Sequence, residues 1–249
     1  MIRETLWMLR YARRSLSGDL LSLRRDVSEW RRFWRSFGHY QHLAPQVSQH
    51  LLDYLYPCLG DDIQDTPVEP VYFYQDAWAF KNITSQRPRL HVDVGSHHKF
   101  VALLSTVVPT IMVDLRPLSL SLESLQFKQG SILGLPFQDA SLQSISSLCV
   151  VEHIGLGRYG DPLDPCGTEK AVSELKRVVQ PGGDLYISVP LDDDNRTYFN
   201  AHRAFQEDYF LGLLEPFHVV ERRYICGRSF AEERMPGFGT GCYHVRRLL

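Results

Sequence analysis

Long apolar runs are missing from this 249-residue chain, and none approaches the roughly 18–20 residues that a membrane-spanning helix needs. Paired cysteines are missing too. Cys58, Cys149, Cys166, Cys226 and Cys242 are odd in number and form no C-x-x-C motif, which argues against a disulfide scaffold or a zinc site and for reduced thiols. No charge of one sign predominates: the net formal charge is −2, so a dedicated nucleic-acid binder is not expected. An unbroken signal-peptide core is also lacking, because Arg3, Glu4, Arg10, Arg13, Arg14 and Asp19 punctuate the start of the chain, and the expected location is the cytoplasm. What remains is ordinary for a globular protein. With 44% hydrophobic residues, a chain of this length carries enough apolar material for one large core.

The charge is unevenly placed. Residues 1–45 hold nine Arg against four acids, a balance of +5 that leaves −7 for the rest. Residues 1–38 contain no proline and read as helix, with Leu20, Leu23, Val27, Trp30, Trp34 and Phe37 recurring at spacings of three and four. Such a stripe packs on the main domain or a partner helix, and the latter includes a second copy of the chain. With Arg24, Arg25, Arg31, Arg32 and Arg35 off the seam, it also suits docking on an anionic membrane surface, which would make the protein peripherally membrane-associated. A second helix is expected from Val47 to Tyr56, stopped by Pro57, and residues 60–70 read as an acidic linker. The expected organisation is therefore an Arg-rich helical extension, 1–57, followed by a domain over 58–249.

From residue 70 strands and helices alternate, which predicts an α/β fold with a doubly wound, mostly parallel sheet. Helices are expected over Tyr72–Ile83, around Phe100–Val107 and over Thr168–Val179; strands over Leu90–Gly95, Thr110–Asp114, Gln143–Val151 and Asp184–Pro190. Phe217–Cys226 and Cys242–Leu249 suit a closing pair of strands. A strand, a glycine turn and a helix, then a second strand ending in an acid, is the layout that binds a ribose-bearing cofactor. Here Asp93, Gly95 and Asp114 occupy those positions.

Three further phrases sharpen this reading: Leu135-Pro136-Phe137-Gln138-Asp139-Ala140-Ser141, Val151-Glu152-His153-Ile154, and Glu174-Leu175-Lys176-Arg177 through Pro181-Gly182-Gly183. Taken in order, they resemble the Rossmann-like class I S-adenosylmethionine (SAM) dependent methyltransferases over about residues 89–190. His91 to Ser96, Val113 to Leu118, Glu152 to Pro162 and Phe199 to Arg203, with Tyr56 to Asp61 and Tyr72 to Trp78 upstream, are similar to the family catalogued as domain of unknown function 268 over roughly residues 54–205. That resemblance implies a methyltransferase-like fold, SAM as cofactor with S-adenosylhomocysteine (SAH) as product, and an association with polysaccharide or sugar biosynthesis.

The resemblance and the topology together assign residues. Asp93, Gly95, Ser96, His97, Asp114, Leu115, Ser131 and Ile132 are expected at the cofactor. Arg158, Tyr159, Asn200 and Arg203 are expected to hold a small-molecule acceptor, a sugar hydroxyl among the candidates, because an Arg fork grips carboxylate or phosphate and Tyr stacks on a sugar. His153 and His202 are the candidate bases, with Asp161 as an orienter or base or one half of a structural Arg–Asp pair. The usual G-x-G-x-G loop keeps only Gly95, and His97 and Lys99 stand where glycines would be. Lys99 reads either as a cation facing the cofactor's carboxylate or a nucleotide-sugar phosphate, or as a surface lysine at a helix start. Neither His97-His98 nor Asp192-Asp193-Asp194 has metal-ligand spacing, so no metal is expected. Two alternatives stay open: a binding or scaffold protein that has lost turnover, and a nucleotide-sugar enzyme of another class.

Overall fold

The computed structural model describes residues 27–45 and 55–249, and the chain divides into two units, Met1–Pro67 and Val68–Leu249. In the first unit, residues 27–43 form helix α1, which runs past Gly38. Trp30 stacks on Trp34 at 6.2 Å and Phe33 on Phe37 at 6.4 Å, so the expected aromatic stripe is present. Glu29 accepts hydrogen bonds from Arg32 and from the backbone N–H of Gly60, and Arg32 also pairs with Asp62 at 3.1 Å. Leu20, Leu23 and most of the expected Val47–Tyr56 helix lie outside the described residues; Leu55 and Tyr56 are not helical.

The second unit opens with α2 (Pro70–Gln86). Pro70 suits the first helical turn, where no N–H is needed, and Glu69 caps it by accepting from Tyr72 N at 2.7 Å. Then follow β1 (His91–Val94), α3 (His98–Ser105), β2 (Thr110–Asp114), β3 (Leu125–Gln129), β4 (Leu142–Leu148) and a single 3-10 turn at Val151–His153. The chain continues through α4 (Gly167–Val178), β5 (Val179–Leu191), β6 (Arg196–Tyr198), β7 (His202–Ala204), α5 (Glu207–Leu214), β8 (His218–Cys226), β9 (Ser229–Ala231) and β10 (Gly239–Arg246).

The main sheet has the order β3-β2-β1-β4-β5-β10-β8-β9. Its first five strands are parallel, and β10 enters antiparallel between β5 and β8, as the expected closing pair requires. One face of the sheet is covered by α4 and α5 through Ala171, Leu175, Val178, Phe210 and Leu214. The other carries α2 and α3 through Trp78, Ile83, Phe100 and Leu104. Several boundaries shift from expectation, two of them for a clear local reason. Helix α4 ends at Val178, because Pro181 disfavours helical backbone in the residue before it, and the Pro-Gly-Gly segment becomes an irregular start to β5 where the β4 register shifts. Strand β4 ends at Leu148, since Cys149 takes a left-handed φ of 52° and turns the chain into the 3-10 segment.

A buried polar chain fixes β1 to β4. Ser144 Oγ donates to His91 Nδ1 at 2.8 Å, His91 Nε2–H donates to Ser146 Oγ at 2.9 Å, and Ser146 Oγ donates to Asp93 Oδ2 at 2.5 Å. Burial pushes the His91 imidazole down to about 3, so it is neutral and one tautomer satisfies every bond. Elsewhere the core is less well satisfied. Tyr186 on β5 is fully buried, stacks on His244 at 4.5 Å, and its hydroxyl has no hydrogen-bond partner among the described residues. Removing an orphaned hydroxyl saves its desolvation cost, so Tyr186→Phe is expected to raise stability by about 1 kcal/mol. Denaturant melting checks this, and a loss of stability would mean that the hydroxyl has a partner in solution. Among the described residues no helix is long and apolar enough to cross a membrane.

Candidate active site

The carboxyl ends of the parallel strands open into a cavity of about 600 Å³, joined to a slot of about 100 Å³. Asp114, Gly95, Cys149, His153, Tyr159 and Arg116 line both. The turn after β1 is held from below. Asp93 is fully buried and accepts from Ser96 N at 3.0 Å, while Ser96 Oγ accepts from Leu148 N at 3.0 Å. Gly95 sits at φ 72°, and a Cβ there would press on Val150 at 3.1 Å. Burial pushes the Asp93 carboxyl up to about 6, against the pull of its Ser146 and Ser96 hydrogen bonds. Asp93 therefore shapes the turn and lines neither compartment, whereas the sequence placed it at the cofactor.

Asp114 closes β2 as expected. Its Oδ1 accepts from Arg116 N at 2.9 Å, which leaves Oδ2 without a protein partner among the described residues. Leu115 and Ile132 line the slot with Val113, Val150 and Ile154, an apolar surface suited to an aromatic base. Ser131 does not line it; its hydroxyl accepts from Leu133 N at 3.1 Å and shapes the turn that presents Ile132. His97 lines the cavity with its ring 5.0 Å from Tyr72, so an imidazole fills the space that a glycine would have left. Lys99 takes its surface alternative. It lies in the first turn of α3 and lines a separate groove with Asp76, Phe80 and Leu103, so it faces neither compartment.

The opposite wall begins with Glu152 and His153 on the 3-10 turn. His153 Nδ1–H donates to the Ala201 carbonyl at 2.6 Å, a bond that fixes the tautomer and leaves the Nε2 lone pair free. That Nε2 stands 3.5 Å from Glu152 Oε1. Glu152 is 1% exposed, lines the cavity, and its Oε2 has no partner among the described residues. Burial pushes its carboxyl up to about 8, so it is largely a neutral acid at neutral pH. Burial and the Arg158 charge hold the His153 imidazole below its ordinary value, opposed by the Ala201 bond. His202 also lines the cavity; its ring is 6.4 Å from that of His153, and its buried Nε2 lacks a partner among the described residues. Tyr159 lies between the guanidinium groups of Arg116, at 4.8 Å, and Arg158, at 5.2 Å, a stack at the cavity mouth.

Three expected site residues line neither compartment. Asp161 accepts from Gly155 N, Tyr159 N and Gly157 N, at 2.7, 3.2 and 3.4 Å. Burial would raise its carboxyl, but these backbone donors outweigh it and hold it below the usual carboxylate range, so it braces the loop. Arg203 is 9% exposed and spends its fork on the carbonyls of Ile154, Asp164 and Pro165 and on Thr168 Oγ1. Asn200 adopts φ 63° in the β6–β7 turn and lines neither compartment. Conversely, Tyr72 and Glu69 from α2, Cys149 after β4, and Phe238 and Thr240 from the β10 end complete the cavity. Asp192 and Asp193 pair with Arg196 and Arg234, and the described residues hold no cluster suited to a metal ion.

Known proteins agree with this architecture. The family model described as Caenorhabditis protein of unknown function, DUF268, matches residues 135–222, which include Glu152, His153, Arg158, Tyr159 and His202 but not Gly95 or Asp114. A protein of Encephalitozoon cuniculi (strain GB-M1), named provisionally as a methyltransferase, is 29% identical over 83 residues; these are 32% of this chain and 36% of that protein. The matched stretch thus spans about a third of that relative's length. The N-methyltransferase NodS of Bradyrhizobium japonicum WM9, solved in complex with SAH, superposes with a TM-score of 0.54 at 16% identity, covering 76% of this chain and 93% of that one. The [4+2]-cyclase SpnF superposes with a TM-score of 0.52 at 12% identity, covering 70% and 82%. One fold carries both names, so the reaction has to be argued from the site. The chain is a Rossmann-like protein of the class I methyltransferase fold, with a segment that matches the DUF268 family.

Proposed function

We propose that the protein is a SAM-dependent methyltransferase acting on a small polar acceptor, with a sugar hydroxyl or glycan-biosynthesis intermediate as the class to test first. The observation that carries this reading is Asp114. Its carboxylate ends β2, has an oxygen to spare, and stands where the apolar slot meets the larger cavity. A carboxylate there accepts hydrogen bonds from ribose hydroxyls while the slot takes the adenine. The chain's own residues fit the group: Leu115, Ile132, Val150 and Ile154 for the ring, the Gly95–Ser96 turn for close backbone approach. When bound, SAM supplies an activated methyl group.

The rest of the chemistry belongs to the protein. Methyl transfer is an in-line displacement, so its main demand is alignment of the acceptor atom. His153 and His202 present imidazoles to the acceptor end, and Arg158 and Tyr159 bound it at the mouth. The proton that leaves a hydroxyl or amine as it is methylated goes to the Glu152–His153 pair, which abuts the same space.

Calorimetric titration with SAM and SAH tests the reading. Micromolar binding is expected, and Asp114→Ala is expected to weaken it by about 10–100-fold, the worth of charge-assisted hydrogen bonds to two hydroxyls. Absence of binding to the folded protein would move the reading to a nucleotide-sugar enzyme or a scaffold.

A further inference from the structure

Glu152 is the unusual group of this cavity. The side chain is 1% exposed, the residue lines a cavity of about 600 Å³, and its buried Oε2 has no hydrogen-bond partner among the described residues. Buried polar atoms are nearly always satisfied, so an orphan on a residue that lines a cavity marks a place for a ligand group. The groups that face Glu152 are the Cys149 thiol at the end of β4, the Tyr72 phenol of α2, the neutral His153 imidazole on its own turn, and Arg158 across the loop. A carboxyl placed this way feels Arg158 across the loop but has no lysine or arginine paired with it among the described residues.

Resting on the SAM reading above, we propose that Glu152 answers the charge of the donor's sulfonium: it gives up its proton as SAM enters, and takes the acceptor's proton as methyl transfer discharges the sulfonium to a thioether. The balance closes. On binding, the Glu152 proton leaves to solvent, and the carboxylate faces the sulfonium. During transfer the acceptor's lone pair forms the new bond to carbon, the carbon–sulfur pair stays on sulfur, and the acceptor's proton goes to Glu152 Oε2. The product complex then holds a neutral acid beside a neutral thioether. His153 does not keep the first proton, since burial and Arg158 disfavour the imidazolium.

The sign of the pH dependence follows. SAM binds the ionised form, and free Glu152 ionises near a pH of about 8. SAM affinity should therefore rise up to about tenfold per pH unit through the neutral range and flatten above that value. SAH carries no sulfonium charge and should lack this rise. Titrations of the full chain in buffers of different ionisation enthalpy count the protons. Close to one proton is expected to leave with SAM near neutral pH and none with SAH; groups common to both ligands cancel in the difference. Glu152→Gln should abolish the release and the preference for SAM over SAH. If that variant does not fold, infrared difference spectra of the wild-type protein decide: SAM, and not SAH, should remove a protonated-carboxyl band. Equal proton counts for SAM and SAH, or release that survives Glu152→Gln, would overturn this assignment and leave the methyltransferase reading standing. No binding of either ligand would overturn both.

Discussion

Arg203→Leu is expected to lower the stability of the domain by about 3–4 kcal/mol, the largest loss from any single side chain around the cavity. Its fork reaches the carbonyls of Ile154, Asp164 and Pro165 and the Thr168 hydroxyl, and so ties both ends of the 154–165 loop to β7. Leucine fills the volume but leaves those acceptors without a donor in a site that is 9% exposed. Losing the buried charge offsets part of the penalty, which is why the figure falls short of the sum over four bonds. Lysine should rescue little, because one ammonium cannot span the positions that a planar guanidinium reaches. Thermal melting should show a fall of about 10 °C for leucine. A shift within 2 °C would return Arg203 to the list of acceptor ligands.

Gly155→Ala should cost about 4 kcal/mol by a different route. Gly155 has φ 82°, a region that costs a residue with a Cβ about 1–2 kcal/mol. The new Cβ would also lie 2.1 Å from the Asp164 carbonyl oxygen, a backbone atom that cannot swing aside. Relief requires moving the strand of loop that Gly155 and Asp164 hold together by a 3.0 Å backbone hydrogen bond. The Asp161 bracket, anchored on Gly155 N, would move with it. Hydrogen exchange across residues 155–167 should therefore accelerate along with the loss of global stability. Unchanged exchange would show that the loop is softer than its geometry implies.

The strand-end part of the crevice was legible in the sequence because it is local. Gly95 and Asp114 are separated by one βαβ unit, and the rules for strand ends place both at the same crevice. The rest of the cavity was legible only in part: His153, Arg158, Tyr159 and His202 line it as expected, but residues from distant elements were not foreseen. Tyr72 comes from α2 and Phe238 and Thr240 from the β10 end, more than 160 positions apart, and only the inserted antiparallel strand brings them together. Asp161, Arg203 and Asn200 stand off the cavity, which was hidden for a related reason. A polar residue in a loop has the same appearance in sequence whether it meets a ligand or backbone amides and carbonyls. Asp93 keeps its place in the motif and holds the turn. Lys99 takes the surface alternative, since α3 starts at His98 and carries it into a separate groove. The phrases behind the family resemblance are mostly scaffold. Glu174 and Arg177, for example, clamp Leu135, Phe137 and Asp139.

The β6–β7 ribbon pairs with itself and stands outside the main sheet, yet its turn carries the Ala201 carbonyl that sets the His153 tautomer. The β7 end of this ribbon is anchored by Arg203, whereas its turn is not, so exchanging residues 198–201 is expected to retune the aim of His153 while the Arg203 ties to the 154–165 loop stay in place. A short turn beside a fixed anchor lets a side chain's aim change at little cost to the fold.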